Sequence, residues 1–524
     1  MSTFLNQLKE TANYTETENG AVALSSTLNA VLDAFGSLAA MKDRPEDQIL
    51  QTWKAAYQEN PELAMRLLFY VRDIRGGQGM RRVFRVIVKN IALTNPQLMV
   101  KNLDNFLFFG RGDDVLCLLE TPAKTDVLKW IDRTLEEDLK EVGAGRYPTL
   151  LAKWLPSINA SSPKTKALGK MVCKGLMLTE KEYRTILSTL RKKIGIIETL
   201  MSQNKWDQID FEKVPAKASM IYSDAFMNHV KEHYIEYLKR LANGDAKVNS
   251  ASLFPVDIIH KVANSRVTLK DKYLLTAMWN ALPDYFKGKE ETGLCVVDTS
   301  GSMWGTPLEV AVSLGMYCAD KARGPFHGHF ITFSGEPKLQ QIIGDTIDEK
   351  YNFLKRAEWG QNTNLEAVFD LLLKTAIKNN TAPEDMPSKL YIISDMQFDD
   401  ATSNGYIFDW YGRRVRSEKA EKPVMATMKE KYAKAGYIMP SIVYWNVDAR
   451  GTGMYQDTYQ GENCCMVSGY SPSLFKSVIE GTEYVEEVIT TSTGEKKVVV
   501  KQVLDPLEVM RKTLMNERYD RVLL

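Results

Sequence analysis

The most specific chemical signal in the sequence is a run of oxygen-bearing side chains, Asp-Thr-Ser-Gly-Ser at residues 298–302, directly after the apolar run 294–297. A strand followed by such a turn presents one carboxylate and two hydroxyls together. These hard oxygens suit Mg²⁺ or Mn²⁺ held partly through water, and they suit Zn²⁺ poorly because no His or Cys accompanies them. The same run alone is also compatible with an ordinary turn of an α/β protein.

Two further oxygen ligands follow at positions that the fold would bring to the same place. Thr363 precedes a predicted helix at 365–377, and Asp395 follows a predicted strand at 390–393. Because ligands of an open parallel sheet bind outside the carboxyl ends of its strands, we expect these residues to lie close together. The sequence therefore predicts a Mg²⁺ or Mn²⁺ site made by Asp298, Ser300, Ser302, Thr363 and Asp395.

This D-x-S-x-S, T, D pattern resembles the metal-ion-dependent adhesion site of von Willebrand factor A domains. The resemblance implies that Asp298, Ser300 and Ser302 bind the metal directly, and that Thr363 and Asp395 bind it directly or through water. It also implies that a carboxylate of a protein partner fills the open coordination position.

Catalytic interpretations are weaker. A phosphatase of the haloacid-dehalogenase type needs a second Asp two residues after the first, where this chain has Ser300, so phosphoryl transfer lacks its proton shuttle. A nuclease would need a base for the attacking water, and only one metal site is visible. His229 and His233 could hold a metal from one helix face, but a surface helix is the simpler interpretation. The sequence therefore predicts a protein that is not an enzyme.

The first half carries basic side chains around short turns. A Gly-rich turn at 76–79 feeds a helix, and backbone amides with nearby guanidinium groups there would form a phosphate seat. Residues 151–200 are strongly basic, and aromatic residues beside them could stack on bases. The alternative is the ordinary charged surface of a helical repeat. The residues predicted to bind RNA are Arg72, Arg75, Arg81, Arg82, Lys153, Lys164, Lys166, Lys170, Arg191, Lys192 and Lys193.

The elements that must position these residues change character once. From about residue 25 to 288, apolar residues recur at three- and four-residue spacing between short Gly- and Pro-containing connectors, which predicts paired amphipathic helices stacked as a HEAT-like repeat. From 289 to 481, strands alternate with helices, which predicts a doubly wound α/β domain. Residues 482–524 are predicted to form a β-hairpin and a last helix, and 1–24 a separate N-terminal segment. The expected class is α + α/β.

Charge divides at the same point. The whole chain has 67 basic and 66 acidic residues, a net charge of +1. Residues 1–288 hold 40 basic and 33 acidic residues and the remainder 27 and 33, so the parts carry +7 and −6. The basic excess favours a polyanion partner for the helical part. Six cysteines without a metal or disulfide spacing, no signal peptide and no long apolar run predict a cytoplasmic protein without a membrane partner.

Most of the chain is similar to a Ro-like, TROVE-type family of uncharacterised proteins found in plants, bacteria and large phages. The segments that carry the resemblance are VRDIRGGQG at 71–79, FGRGDD at 109–114, AKWLPS at 152–157, WDQIDF at 206–211, VPAKA at 214–218, LFP at 253–255 and ERYD at 517–520. The resemblance implies a monomeric ring of helical repeats, closed or nearly closed by its A domain, that binds RNA as a scaffold. The alternative is a metal-dependent protein-interaction module within a larger phage or stress-associated assembly.

Overall fold

The chain forms two compact units, each assembled from more than one stretch of sequence. The computed structural model describes residues 13–16, 22–250, 252–288, 292–333, 337–355, 365–398, 406–408, 414–416, 424–450, 463–490 and 496–524. The helical unit consists of residues 45–53, 61–253 and 515–524. The α/β unit consists of residues 1–44, 54–60 and 254–514. The α + α/β class predicted from the sequence is confirmed.

The described helices, in chain order, are α1 (Ala30–Ser37), α2 (Glu46–Glu59), α3 (Pro61–Arg72), α4 (Arg81–Thr94), α5 (Pro96–Lys101), α6 (Leu103–Phe109), α7 (Lys124–Gly143), α8 (Leu151–Trp154), α9 (Pro163–Gly175), α10 (Glu180–Ile194), α11 (Ile197–Ser202), α12 (Ala216–His229), α13 (Lys231–Asn243), α14 (Pro255–Asn264), α15 (Leu269–Asn280), α16 (Thr306–Lys321), α17 (Ile347–Lys355), α18 (Leu365–Asn379), α19 (Val424–Lys434), α20 (Ser473–Glu480) and α21 (Pro506–Leu514). The described strands are β1 (Tyr14–Glu16), β2 (Val22–Leu24), β3 (Gly293–Asp298), β4 (His329–Phe333), β5 (Lys338–Gln341), β6 (Lys389–Ser394), β7 (Tyr406–Phe408), β8 (Arg414–Arg416), β9 (Ser441–Asn446), β10 (Cys464–Ser468), β11 (Thr482–Thr490) and β12 (Lys496–Leu504).

The core of the helical unit contains an aromatic cluster built from α3, α4 and α6. Phe69 of α3 packs against Phe84 of α4 at 5.5 Å between ring centroids and against Phe109 of α6 at 5.3 Å. The helical spacing of apolar residues turns one face of α4 inward, so that Val83 and Ile87 are fully buried. Helix α3 is buried on nearly all sides from residue 64 onward, which is why its apolar residues show no clean stripe.

The last ten residues of the chain belong to the helical unit. Tyr519 stacks on Phe109 with ring centroids 5.4 Å apart, and its hydroxyl donates to Asp73 Oδ2 at 3.2 Å. Arg518 donates to the same carboxylate from Nη2 to Oδ1 at 2.9 Å. The side-chain amide of Asn102, itself buried, donates to the backbone oxygen of Leu523 at 2.8 Å. The C-terminal segment is therefore an integral layer of the helical unit.

The α/β unit is built on one six-stranded sheet with the order β10-β9-β6-β3-β4-β5. All neighbours pair in parallel except β5, which runs antiparallel to β4 at the edge. Strand β3 is buried along its whole length and has β4 on one side and β6 on the other. The chain order therefore reverses between β3 and β6, which is where ligands bind in sheets of this kind.

Helices cover both faces of this sheet. Because side chains alternate along a strand, Leu294 and Val296 of β3 face one side and pack with α18 and α19. Val297 faces the other side, where α16 lies so close that a Cβ on Gly315 would be 2.3 Å from the Val297 side chain. Phe475 of α20 packs on that second side against Trp445 of β9 at 4.7 Å. The result is a doubly wound three-layer unit, as the alternation of strands and helices predicts.

The unit boundaries differ from the predicted domain boundaries at 24 and 288. Helices α14 and α15, placed in the helical domain by their periodicity, belong to the α/β unit, where α14 packs on α16 and α15 on α17. Helix α1 also belongs there, because Ser468 Oγ at the end of β10 donates to the Phe35 carbonyl at 2.8 Å. Periodicity identifies these helices but carries no information on which core they join. The predicted C-terminal hairpin is confirmed as β11 and β12.

Candidate functional site

Three of the predicted metal ligands, Asp298, Ser300 and Ser302, lie at the carboxyl end of β3. Asp298 is the last residue of the strand, and a single 3₁₀ turn, Gly301–Met303, follows it. The turn is held by its own polar groups, since the Ser300 amide donates to Asp298 Oδ1 at 2.9 Å. The hydroxyls of Ser300 and Ser302 lie 3.0 Å apart. One carboxylate and two hydroxyls are therefore gathered at one point, as the spacing predicts.

The second carboxylate comes from the neighbouring strand. Val297 of β3 pairs with Ile393 of β6, so the residues that follow are side by side. Ser394 Oγ donates to Asp298 Oδ2 at 2.5 Å and accepts from the Met396 amide at 3.0 Å. Asp395 accepts from the Gln397 amide at 3.2 Å, and Met396 between them has a left-handed φ of 63°. The sharp turn there holds Asp395 beside Asp298.

Burial gives this pair unusual electrostatics. Asp298 and Asp395 each retain only 1% of their exposure. Burial and the neighbouring Asp395 raise the pKa of Asp298 to about 6, although the hydrogen bonds from Ser394 and Ser300 oppose the shift. Burial also raises the pKa of Asp395, an effect partly offset by the nearby hydroxyl of Ser302. Because two carboxylates are buried close together here, a positive charge bound between them would stabilise their ionised forms.

One oxygen of this site lacks a hydrogen bond. Asp395 Oδ2 is buried and has no hydrogen-bond partner among the described residues. The Nε atom of Arg450 lies 3.7 Å from this oxygen. Buried carboxylate oxygens normally accept a hydrogen bond, so Asp395 Oδ2 has capacity to coordinate an added cation.

The donor set fits a hard divalent cation. Carboxylates and hydroxyls are the ligands that Mg²⁺ and Mn²⁺ prefer, with water completing the coordination. No cluster of three or more His, Cys, Asp or Glu side chains is placed to hold a metal within the described part of the chain. A cation here would therefore rely on hydroxyl and water oxygens besides the two carboxylates. Thr363, the fifth predicted ligand, lies outside the described residues.

Three polar residues at this site, Ser394, Asp448 and Arg450, were not predicted from the sequence. Ser394 bonds to Asp298, and Asp448 follows β9, the next strand of the sheet, where it accepts from Arg450 Nε at 2.7 Å. The signal for Asp448 was available, because it follows a buried strand just as Asp298 and Asp395 do. The position of Arg450 had no local signal.

His229 and His233 do not form the metal-binding pair that was the alternative to a surface helix, and both are exposed. His229 ends α12 and His233 lies on α13, so the two residues do not share a helix. His229 stacks on Trp206 with centroids 4.0 Å apart, and His233 packs against Phe211 at 5.0 Å. Their rings serve packing in the helical unit.

The prediction that Arg72 binds RNA is wrong. Its side chain is buried, and its Nε donates to Asp114 Oδ2 at 2.7 Å. Burial lowers the pKa of Arg72, while the charge of Asp114 opposes this effect. Arg85 donates to the other oxygen of Asp114, also at 2.7 Å. Arg72 and Arg85 therefore both bind Asp114, a carboxylate distant from them in sequence, and this contact stabilises the helical unit.

The predicted phosphate seat at the Gly-rich turn is also not free. The amides of Gln78, Gly79 and Met80 donate to the carbonyls of Tyr70, Asp73 and Val71, at 3.1, 3.1 and 2.8 Å. These amides therefore hold the turn onto the end of α3. The predicted basic residues that flank it, Arg75, Arg81 and Arg82, have exposed side chains.

The remaining basic residues surround α9 and α10. Lys164, Lys166 and Lys170 are exposed on α9, and Lys170 pairs with Glu180 at 3.4 Å. Lys153 lies over the ring of Trp154 at 5.3 Å, and Lys193 donates to the Gly145 carbonyl at 3.0 Å.

A groove in the helical unit brings some of them together. Its volume is about 480 Å³, and Arg184, Arg191 and Lys192 supply its charged lining. Arg191 is fixed there by donating to the carbonyls of Ala152 and Leu155, at 2.9 and 2.7 Å. None of the described residues that line the groove is acidic, and its other members are Ser157, Ile158, Asn159, Tyr183, Leu187, Ser188, Thr189, Thr199 and Gln203. A groove of this composition suits an anionic, polar ligand.

None of the described helices is both long and apolar enough to cross a lipid bilayer.

Comparison with known proteins gives two family matches. Residues 292–514 match a domain of unknown function (DUF7788), and residues 17–111 and 129–282 match another domain of unknown function (DUF2828). Over 515 residues the chain is 28% identical to a protein of Acanthamoeba polyphaga mimivirus named "Uncharacterized protein L728". That similarity covers 90% of this chain and 86% of the viral protein. These descriptions name no ligand and no reaction.

Proposed function

We propose that the α/β unit binds one Mg²⁺ or Mn²⁺ ion and uses it to dock a carboxylate of a protein partner. The observation that carries this proposal is the convergence of Asp298 and Asp395, both buried, at the strand-order reversal of the sheet, with Asp395 Oδ2 lacking a hydrogen bond. The sheet order and the Asp-x-Ser-x-Ser turn support the interpretation of this unit as a von Willebrand factor A-like domain with a metal-ion-dependent adhesion site.

Asp298, Ser300, Ser302 and Asp395 would hold the ion, and Thr363 is proposed as the fifth ligand on the sequence pattern. When bound, the cation would supply a Lewis-acidic position open to an incoming carboxylate. The role of the chain itself is positioning. Ser394 orients Asp298, and the Gln397 amide orients Asp395. Outer partners of this kind fix the direction of the coordinating oxygens.

The proposal is tested by isothermal titration of Mg²⁺ and Mn²⁺ into the full-length protein and an Asp298→Ala variant. We expect a single site in the wild-type protein and no measurable binding in the variant. Asp385→Ala provides a control, since this exposed carboxylate precedes β6 and so lies at the opposite end of that strand from Asp395. Equal cation binding by wild-type protein and Asp298→Ala would contradict the proposal.

A second function is proposed for the helical unit, namely binding of RNA as a non-enzymatic scaffold. The basic groove beside α10 carries this proposal, because Arg184, Arg191 and Lys192 line it and none of its described lining residues is acidic. Phosphate contacts from these side chains would give affinity that depends on salt and not on sequence. The helical repeat and basic excess are in keeping with a Ro-like, HEAT-type scaffold. Six cysteines that form no disulfide suit a reducing, cytoplasmic setting.

The RNA proposal is tested with the double variant Arg184→Gln, Lys192→Gln and a single-stranded oligouridylate in a filter-binding assay over a range of salt. Removing two phosphate contacts should reduce the slope of log K against log salt by about 1.4. Lys124→Gln is the matched control, since this exposed lysine on α7 lies outside the groove. An unchanged slope in the double variant would overturn the assignment of the groove.

A further inference from the structure

An arginine from the end of the sheet lies against the proposed metal site. Arg450 Nε is 2.7 Å from Asp448 Oδ2 and 3.7 Å from Asp395 Oδ2. Its Nη2 donates to the backbone carbonyl of Ser302. The side chain retains 26% of its exposure, so it reaches inward from the surface toward the buried carboxylate. Two of the residues it approaches, Asp395 and Ser302, are proposed cation ligands.

A guanidinium group keeps its charge at every physiological pH. Beside Asp395 it therefore supplies part of the positive charge that two buried carboxylates require. It supplies this charge imperfectly, because 3.7 Å is too long for a hydrogen bond and Asp395 Oδ2 stays without one. A divalent cation bound to the same carboxylate would lie close to the guanidinium and repel it.

The neighbouring contacts show how the arginine could withdraw. Asp448, its closest partner, is held independently by Arg44, whose Nη2 lies 3.2 Å from Asp448 Oδ1. Release of Arg450 would therefore leave Asp448 with a positive partner. The partly exposed guanidinium would move into water, where its hydration compensates for the lost contacts.

We propose that Arg450 is an internal cation that neutralises Asp395 in the metal-free protein and must be displaced when a divalent cation binds. Arg450 thereby lowers the affinity of the site and sets the cation concentration at which partner docking begins. This inference rests on the proposed cation-binding function. It assigns Arg450 a positioning role, because the residue acts through Asp395.

The test is isothermal titration of Mg²⁺ into the full-length protein and two variants, Arg450→Met and Arg44→Met. Methionine preserves much of the side-chain volume but removes the charge. We expect Arg450→Met to bind Mg²⁺ about tenfold or more tightly than the wild-type protein. We expect Arg44→Met to change the affinity less than about twofold, because Arg44 pairs with Asp448, which lies outside the proposed ligand set.

A further variant, Arg450→Lys, keeps the positive charge on a side chain that cannot form the same pair of contacts. Its Mg²⁺ affinity should fall between those of the wild-type protein and Arg450→Met. Thermal unfolding midpoints of all variants in EDTA report whether each protein is folded. Equal or weaker Mg²⁺ binding by folded Arg450→Met would overturn the inference and leave cation binding intact. Absence of Mg²⁺ binding in both wild-type protein and Arg450→Met would overturn the proposed function together with the inference.

Discussion

Replacing Asp114 with alanine should destabilise the helical unit severely. Asp114 is fully buried and accepts from Arg72, Arg85 and the amide of Arg111. Arg85 keeps a second partner in Asp113, at 2.9 Å, and is partly exposed. Arg72 cannot turn its guanidinium group into water in the same way, because its side chain is only 2% exposed. The substitution therefore leaves the buried guanidinium of Arg72 without the carboxylate that neutralises it.

Removing one partner of a buried ion pair typically costs 3–5 kcal/mol, so we expect a loss of about 4 kcal/mol. For a unit of this size, such a loss should lower Tm by about 8–16 °C. The matched control is Asp113→Ala, which removes a carboxylate that is 20% exposed and should cost about 1 kcal/mol. Adding Arg72→Met to Asp114→Ala should restore part of the loss, since it removes the unpaired charge.

The measurement is scanning calorimetry of the four proteins, supported by urea unfolding followed by circular dichroism. Assigning Arg72 to the interior would be refuted if Asp114→Ala unfolded within about 2 °C of Asp113→Ala. The same variants also test the functional assignment. In the folded state, the double variant Asp114→Ala, Arg72→Met should leave the salt dependence of RNA binding unchanged, unlike the groove variant.

Two further substitutions test packing in the helical unit. Gly77→Ala should lower the free energy of unfolding by about 1–3 kcal/mol, because its Cβ would be 2.0 Å from the Tyr70 carbonyl oxygen. Gly143→Ala is the control, since open space surrounds this glycine and the substitution should be neutral or slightly stabilising. Urea unfolding measures both effects. Tyr519→Ala should cost about 3–5 kcal/mol and expose the C-terminal residues to carboxypeptidase, while Tyr519→Phe, which removes only the bond to Asp73, should remain protected. Equal digestion of the two Tyr519 variants would contradict a tail held by ring packing.

Local pattern was sufficient for the elements that carry the candidate site. The apolar run before Asp298 and the one before Asp395 predicted strands, and both are found with β3 and β6 adjacent in the sheet. The position of the two carboxylates follows from that adjacency, since both residues stand at the carboxyl ends of parallel strands. Sequence order could not reveal that Arg450 reaches the same place from the end of β9.

The basic residues show the opposite case. Charge and spacing predicted that Arg72 and Arg191 both bind RNA. In the structure, Arg72 is buried and donates to Asp114, whereas Arg191 donates to backbone carbonyls such as that of Leu155. Those contacts join residues that are about 40 positions apart, which no local pattern encodes. Assignment of residues 515–524 to the helical unit depends on contacts of still longer range, such as Arg518 with Asp73.

The most direct test of the cation site is a crystal of the full-length protein grown with Mn²⁺ and measured at a wavelength that gives a manganese anomalous signal. We expect one strong anomalous peak at about 2.2 Å from the hydroxyls of Ser300 and Ser302, beside Asp298 and Asp395. We also expect Arg450 to have moved away from Asp395 in that crystal. A Mn²⁺-containing crystal with no peak at these residues, or with its peak elsewhere in the chain, would contradict the proposed cation site.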